Sequence, residues 1–78
     1  MARLIIPNRR GHQTLEWDTT VDSEETRAVI EEAERIIADA RRQGCLVSRK
    51  VGDRHELYDG PFDPHAEEYQ VIAPIAGG

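Results

Sequence analysis

The feature that most constrains the fold is one amphipathic stripe in the middle of a 78-residue chain. Apolar side chains recur there at steps of one, three and four residues, which is the spacing of one face of an α-helix. They are Val29, Ile30, Ala33, Ile36, Ile37 and Ala40. A single helix cannot bury such a stripe against itself, so the remaining segments must build an apolar surface that covers it.

Residues at both ends of the stripe bound the predicted helix. Either Asp22 or Ser23 can cap its first turn, and Asp22 with Glu25 has the spacing of a capping box. Acidic residues come early and arginines come late, which complements the helix dipole. Gly44 favours a helix end, because glycine readily adopts the left-handed conformation that follows many last turns. We therefore expect a helix of about five turns.

Short strand-like segments flank the helix on both sides. Residues 2–6 form an apolar run that Pro7 should stop, and residues 12–18 alternate between two faces with a period of two. Three further strands are predicted after the helix, at residues 45–51, 55–58 and 68–73. The predicted order of elements is therefore β-β-α-β-β-turn-β.

Turn signals connect these strands. Residues 8–11 predict a hairpin turn, with Gly11 free to take a positive φ, and residues 52–53 are a two-residue hairpin signal. Residues 63–67 predict one capped turn, with Asp63 as the cap and Pro64 in the first helical position. The whole pattern predicts an α+β fold in which a mixed sheet packs on one amphipathic helix.

Composition restricts the expected partners and compartment. The formal net charge of −5 disfavours phosphate backbones and anionic lipid, so we expect neither a nucleic acid nor a membrane as partner. No apolar run reaches the roughly 20 residues of a membrane span, and the first apolar stretch is too short for a signal peptide. The predicted location is the cytoplasm. Cys45 is the only cysteine, so no intrachain disulfide is expected, and a buried structural thiol is the favoured interpretation.

The sequence ends with A-P-I-A-G-G, directly after the last predicted strand. We expect residues 1–73 to form one domain and residues 74–78 to form a flexible tail. Two glycines offer a thin strip of backbone and an unhindered carboxylate. Either this end is inert, or the carboxylate of Gly78 is the reactive group of the protein.

The element order, followed by a Gly-Gly tail, resembles the β-grasp fold of ubiquitin-like proteins and sulfur carriers. The tail is most similar to the ends of the sulfur carriers of molybdopterin and thiamin synthesis, which commonly run proline, apolar residue, small residue, Gly-Gly. The resemblance implies that an ATP-using activating enzyme adenylates the C-terminal carboxylate. ATP is then used by that partner enzyme, and no cofactor is bound by this chain.

Within this resemblance the tail residues have expected roles. Gly78 supplies the carboxylate, and Gly77 fits a narrow enzyme channel where any Cβ would clash. Ala76 belongs to the same activation segment. Pro74 stiffens the exit from the sheet, and Ile75 serves as an apolar anchor at the channel mouth.

These expectations lead to one favoured function and two alternatives. The favoured function is a ubiquitin-like modifier that an activating enzyme conjugates to target proteins. Lys50, the only lysine, is then the candidate side-chain acceptor for chains. The first alternative is a sulfur carrier that forms a C-terminal thiocarboxylate.

The second alternative is a non-catalytic interaction module with an inert tail. It would bind through a sheet edge, or bury Trp17, Tyr58 or Tyr69 against a partner. The simplest interpretation of Trp17 and Tyr69 is a place in the core or on a face of the sheet. No catalytic motif is present, so we do not expect an enzyme. The histidines and acids between residues 55 and 68 match no metal-ligand spacing, so no metal site is expected.

Overall fold

A computed structural model describes residues 1–8 and 11–73 of the chain. These residues form one helix, α1 (Glu24–Arg42), and five strands. The strands are β1 (Ala2–Asn8), β2 (Gly11–Trp17), β3 (Leu46–Val51), β4 (Arg54–Leu57) and β5 (Glu68–Ile72). The helix packs on one face of a mixed five-stranded sheet, which confirms the predicted α+β class and the predicted order of elements.

The strands are arranged in the order β2-β1-β5-β3-β4. Antiparallel hairpins join β1 to β2 and β3 to β4, as their turns predict. β5 lies at the centre, antiparallel to β3 and parallel to β1. Leu4 lies opposite Tyr69 in the parallel pair, so the first and last strands hold each other in the middle of the sheet.

Strand boundaries match the predicted ones to within one residue, except in β1. The prediction that Pro7 ends this strand is wrong, because β1 continues to Asn8. Pairing of β1 with β5 extends only from Arg3 to Ile5. Pro7 therefore lies beyond that ladder, where the missing backbone N–H is tolerated on the β5 side.

Ser23, and not Asp22, caps the start of α1. The Ser23 hydroxyl oxygen accepts a hydrogen bond from the Thr26 amide at 3.1 Å. The Asp22 carboxylate instead accepts a hydrogen bond from the Arg27 guanidinium at 3.3 Å. Of the two predicted caps, the structure therefore selects Ser23, and the proposed capping box with Asp22 at its start is wrong.

Gly44 ends the helix as predicted. Its φ of 87° lies in the left-handed region, which glycine enters without a steric penalty. The Cys45 amide then donates back to the Ala40 carbonyl at 2.9 Å, which closes the last turn and directs the chain into β3. Within the described residues, no helix has both the length and the apolar character needed to cross a membrane.

The predicted helix stripe lies against the sheet. Ala33, Ile37 and Ala40 are buried, and the other three stripe residues are half-buried against the same core. The sheet contributes buried side chains from four strands: Ala2, Leu4, Trp17, Val47, Tyr69 and Val71. Full burial of a side chain such as leucine stabilises a fold by about 2 kcal/mol. Because the buried apolar residues form one cluster between α1 and the sheet, this interface supplies most of the apolar stabilisation.

Two aromatic residues attach the long connection between β4 and β5 to this core. The ring of Tyr69 stacks on Phe62 with centroids 5.3 Å apart, and its hydroxyl oxygen accepts a hydrogen bond from the Asp63 amide at 2.9 Å. The indole N–H of Trp17 donates to the Pro64 carbonyl at 2.9 Å. The connection is therefore held by contacts with both β2 and β5.

The same connection contains the predicted capped turn. The Asp63 carboxylate accepts a hydrogen bond from the His65 amide at 2.9 Å. The Asp63 carbonyl accepts one from the Ala66 amide at 3.2 Å. Asp63 therefore caps the turn, as the sequence predicts.

The buried phenol of Tyr69 makes stability depend on alkaline pH. Burial raises the pKa of Tyr69 above its ordinary value of about 10. The unfolded chain therefore releases this proton at a lower pH than the folded chain does. The stabilising contribution is complete below about pH 10 and is lost as the pH rises through the folded-state pKa.

We expect Tyr69→Phe to lower the free energy of unfolding at pH 7 by about 1 kcal/mol, because the Asp63 amide loses its acceptor. The same variant should lose less stability between about pH 9 and 11 than the wild type does. Urea unfolding across this pH range measures both effects. Tyr58→Phe is the matched control, because its hydroxyl donates to the Pro61 carbonyl from an exposed position. Alkaline destabilisation that follows Tyr58 instead of Tyr69 would contradict this assignment.

Candidate functional site

The predicted reactive tail lies outside the described part of the chain. Its residues are Pro74, Ile75, Ala76, Gly77 and Gly78. The structure describes how the chain reaches this segment: β5 is the central strand, and after Ile72 the chain passes through the exposed Ala73 at the end of the sheet. The candidate site is therefore the sheet end around Ile72, together with the surfaces next to it.

The sheet has one face covered by α1 and one open face. Successive residues of a strand point to opposite faces. On β5, Tyr69 and Val71 are buried beneath α1, so Gln70 and Ile72 lie on the open face. Residues that lie opposite each other in a pair of strands point to the same face. The registers of β5 with β1 and with β3 therefore assign the residues of these two strands to the same two faces.

Three large apolar side chains are exposed near each other on this open face. Leu46 of β3 lies opposite Ile72, and Leu57 of β4 lies opposite Ser48, the next open-face residue of β3. The exposed fractions are 52% for Leu46, 67% for Leu57 and 37% for Ile72. We call these three residues the open-face patch. Clustered exposed apolar residues of this kind commonly mark an interaction site.

The open-face patch could not be predicted from the sequence, because it is formed by residues of three different strands. Alternation within each strand places Leu46 and Ile72 on an outward face, but it does not say which strands are neighbours. Only the antiparallel pairing of β3 with β5 brings these two residues opposite each other. Each strand therefore shows which of its residues share a face, but the sequence does not show the register that brings residues of two strands together.

A cleft of about 480 Å³ adjoins the patch. It is lined by Leu46 and Leu57 together with Arg41, Cys45, Val47, Tyr58 and Asp59. The Arg41 guanidinium is already engaged, because it donates to the carbonyls of Tyr58 and Gly60 at 2.8 and 2.9 Å. Cys45 is half-buried, and not fully buried as expected, and it packs against the core. The cleft therefore extends the apolar patch around the start of β3.

A polar cluster lies on the same open face. The Glu68 carboxylate lies 3.2 Å from Arg3 Nε and 2.7 Å from His55 Nε2. When His55 carries its proton on Nε2, its Nδ1 accepts from the Ser48 hydroxyl 3.2 Å away. Ser48 is only 3% exposed, so it does not present a nucleophile to solvent. We interpret this cluster as a link between four strands, and no catalytic role follows from it.

Lys50, the candidate acceptor, is half-buried on β3. Its Nζ lies 3.2 Å from a Glu67 carboxylate oxygen, and its side chain is 32% exposed. An ion pair this accessible to water is worth at most about 1 kcal/mol. The amine can therefore leave Glu67 at little cost, and its acceptor role stays a prediction.

The aromatic residues weighed as contact residues have mainly structural roles. Trp17 and Tyr69 are 3% and 1% exposed, so neither ring is available to a partner in this fold. The half-buried ring of Tyr58 is covered by the Arg49 guanidinium, 4.0 Å from the ring centroid. Among residues 1–8 and 11–73, no three histidine, cysteine or acidic side chains are grouped as metal ligands.

Comparison with known proteins gives no relative of this chain. No protein-family model, no curated protein and no solved structure matches it. A functional proposal therefore depends on the sheet arrangement, the open-face patch and the sequence of the tail.

If the open-face patch is a binding surface, its residues should contribute little to folding. We expect Leu57→Ala to lower the free energy of unfolding by less than about 0.5 kcal/mol, because Leu57 is 67% exposed. The matched change at a buried position, Leu4→Ala, should cost about 3 kcal/mol, because Leu4 is 0% exposed. Urea unfolding of both variants measures this difference. A cost of about 2 kcal/mol or more for Leu57→Ala would mean that Leu57 supports the fold.

Proposed function

We propose that this chain is a β-grasp, ubiquitin-like protein modifier. An activating enzyme adenylates the carboxylate of Gly78 and passes the chain to target proteins. The chain itself performs no catalysis and binds no cofactor. Its contribution is a rigid domain that an enzyme can recognise, attached to a narrow reactive end.

The observation that carries this proposal is the parallel pairing of β1 with β5 at the centre of the sheet. A β-grasp fold requires the first and last strands to be parallel neighbours in the middle, with one helix across one face. Another α+β arrangement of the same elements would separate these strands. The order β2-β1-β5-β3-β4 therefore supports the resemblance that the element order suggested.

The second support is the position of the open-face patch relative to the tail. Ile72 belongs to the patch and is also the last residue of β5. Fully extended, the six residues from Ala73 to Gly78 would span at most about 22 Å. A standard protein interface of about 800 Å² per partner has a radius of about 16 Å. One enzyme can therefore cover the patch and hold the tail at the same time.

The proposed chemistry takes place at the Gly78 carboxylate. One carboxylate oxygen attacks the α-phosphorus of ATP, pyrophosphate leaves, and an acyl-adenylate forms. A thiol or amine then attacks the carbonyl carbon, and AMP leaves with the bonding electron pair. This chemistry requires Gly78 to be the carboxyl terminus of the mature protein. Attack by sulfide on the same acyl-adenylate, with loss of AMP, would instead give the thiocarboxylate of a sulfur carrier.

We expect removal of Gly77 and Gly78 to abolish conjugation and to leave the fold unchanged, because the described residues 1–8 and 11–73 already form the sheet and its core. The measurement is a denaturing immunoblot of N-terminally tagged protein expressed in the native host. Higher-mass adducts should be present for the full chain and absent for the truncated chain. Urea unfolding of the truncated chain controls for stability. Adducts that persist at full abundance after truncation would refute the proposed role of the tail.

A separate expectation concerns the open-face patch. Leu57→Ser should reduce adduct formation at least tenfold, because it removes an exposed apolar contact at the proposed interface. Val21→Ser is the matched control, because Val21 is 47% exposed and lies outside the patch. The same immunoblot compares the two variants at equal expression. Equal adduct levels in both would show that activation does not depend on the patch.

A further inference from the structure

β2 is an edge strand with one side unpaired. The sheet order places it beyond β1, and among the described residues no other strand pairs with it. It is seven residues long, and its exposed residues are Gly11, His12, Gln13, Thr14 and Glu16. Every second residue of an edge strand points its N–H and C=O away from the sheet, where they can pair with another strand.

The β2 edge lacks the features that usually prevent an edge strand from pairing with another chain. β2 contains no lysine, arginine or proline, and its single acid is Glu16. Its register with β1 proceeds one residue at a time from Ala2–Trp17 to Asn8–Gly11, so no bulge bends it. The opposite edge differs, because β4 has only four residues and carries charges at Arg54 and Glu56. β2 is therefore the edge that is open to addition of a strand.

We propose that β2 pairs antiparallel with β2 of a second copy of this chain, about a two-fold axis at Thr14. The result is a symmetric dimer with one continuous ten-stranded sheet. The inference goes beyond the proposed function and does not depend on it. Closed two-fold symmetry is also the commonest form of soluble oligomer.

β2 is complementary to itself, which favours a second copy of this chain as the partner. An axis at Thr14 places His12 opposite Glu16 of the other copy, and the symmetry repeats this pair on the other side. An imidazole N–H can donate to the carboxylate in both places. Thr14 lies opposite Thr14 of the second copy, and facing threonines are a favourable cross-strand pair. All three residues lie on the open face, because their β1 partners Arg3, Ile5 and Pro7 alternate with the buried Ala2 and Leu4.

Other symmetric registers are less complete. An axis at Gln13 or at Leu15 pairs only five of the seven residues and places no histidine opposite an acid. An axis between two residues is excluded, because it would set a residue whose N–H and C=O point outward opposite one whose N–H and C=O point toward β1. The Thr14 register pairs all seven residues and keeps both helices on one side.

The dimer leaves the candidate functional site free. β1 lies between β2 and β5, and the open-face patch belongs to β3, β4 and β5. Antiparallel pairing also directs the two β5 strands, and so the two sheet ends that precede the tails, in opposite directions. Loss of the dimer and loss of conjugation are therefore independent outcomes.

Sedimentation equilibrium of the full chain at up to about 1 mM tests the proposal. We expect a reversible equilibrium between the 8.8 kDa monomer and a species of twice that mass. Thr14→Lys should weaken association at least tenfold, because two ammonium groups then face each other across the axis. Thr14→Val keeps a neutral β-branched residue and should leave the dissociation constant within threefold. Glu56→Gln makes the chain more positive by the same amount as Thr14→Lys does, but it lies on the other edge strand, β4. It should therefore leave the dissociation constant unchanged.

A mixed sample gives the sharper result. Thr14→Lys and Thr14→Asp should each be monomeric, and an equimolar mixture of the two should dimerise again, because a lysine then faces an aspartate. A wild-type chain that stays monomeric throughout the concentration range would overturn the proposal. Association that Thr14→Lys does not weaken, or a mixture that stays monomeric, would overturn it as well.

Discussion

The parallel pairing of β1 with β5 is the contact on which the rest of the structure depends. It joins the two ends of the domain, with Arg3 to Ile5 of β1 lying opposite Glu68 to Gln70 of β5. On its other side β1 pairs with β2, and β5 pairs with β3, which in turn pairs with β4. The β1–β5 pair therefore connects the two halves of the sheet. The buried Leu4 and Tyr69 lie opposite each other there, in the same core cluster as the buried residues of the helix stripe. Without this pairing neither the core nor the exit point of the chain from the sheet would be defined.

The same arrangement separates folding from recognition. The helix-covered face holds the core, and the open face carries exposed leucine and isoleucine side chains that lie outside the core cluster. An exposed apolar patch lowers solubility, and such patches commonly mark interaction sites. Because the patch includes the last residue of the central strand, the proposed enzyme can contact the patch and hold the end of the chain together. This geometry is the physical basis for proposing a protein modifier.

Local elements could be predicted from the sequence, and long-range pairings could not. The helix stripe repeats every three or four residues, and Gly52 marks the β3–β4 hairpin, so both can be read within short windows. The meeting of Leu4 with Tyr69 involves opposite ends of the chain and has no local signal. The patch and the Arg3–Glu68–His55 contacts depend on that same sheet order. The prediction that Pro7 ends β1 is wrong because the sequence does not show how far β5 pairs along β1.

The most direct test of the modifier function is mass spectrometry of the protein purified from its native host, with sequencing of its C-terminal peptide and of any conjugates. A modifier should yield chains that end at Gly78 and a Gly-Gly remnant linked through an amide bond to peptides of other proteins. Unmodified Gly78 in every molecule, with no conjugates even under stress, would contradict it and favour an interaction module. A mass that shows one carboxylate oxygen replaced by sulfur would contradict the modifier and establish a sulfur carrier.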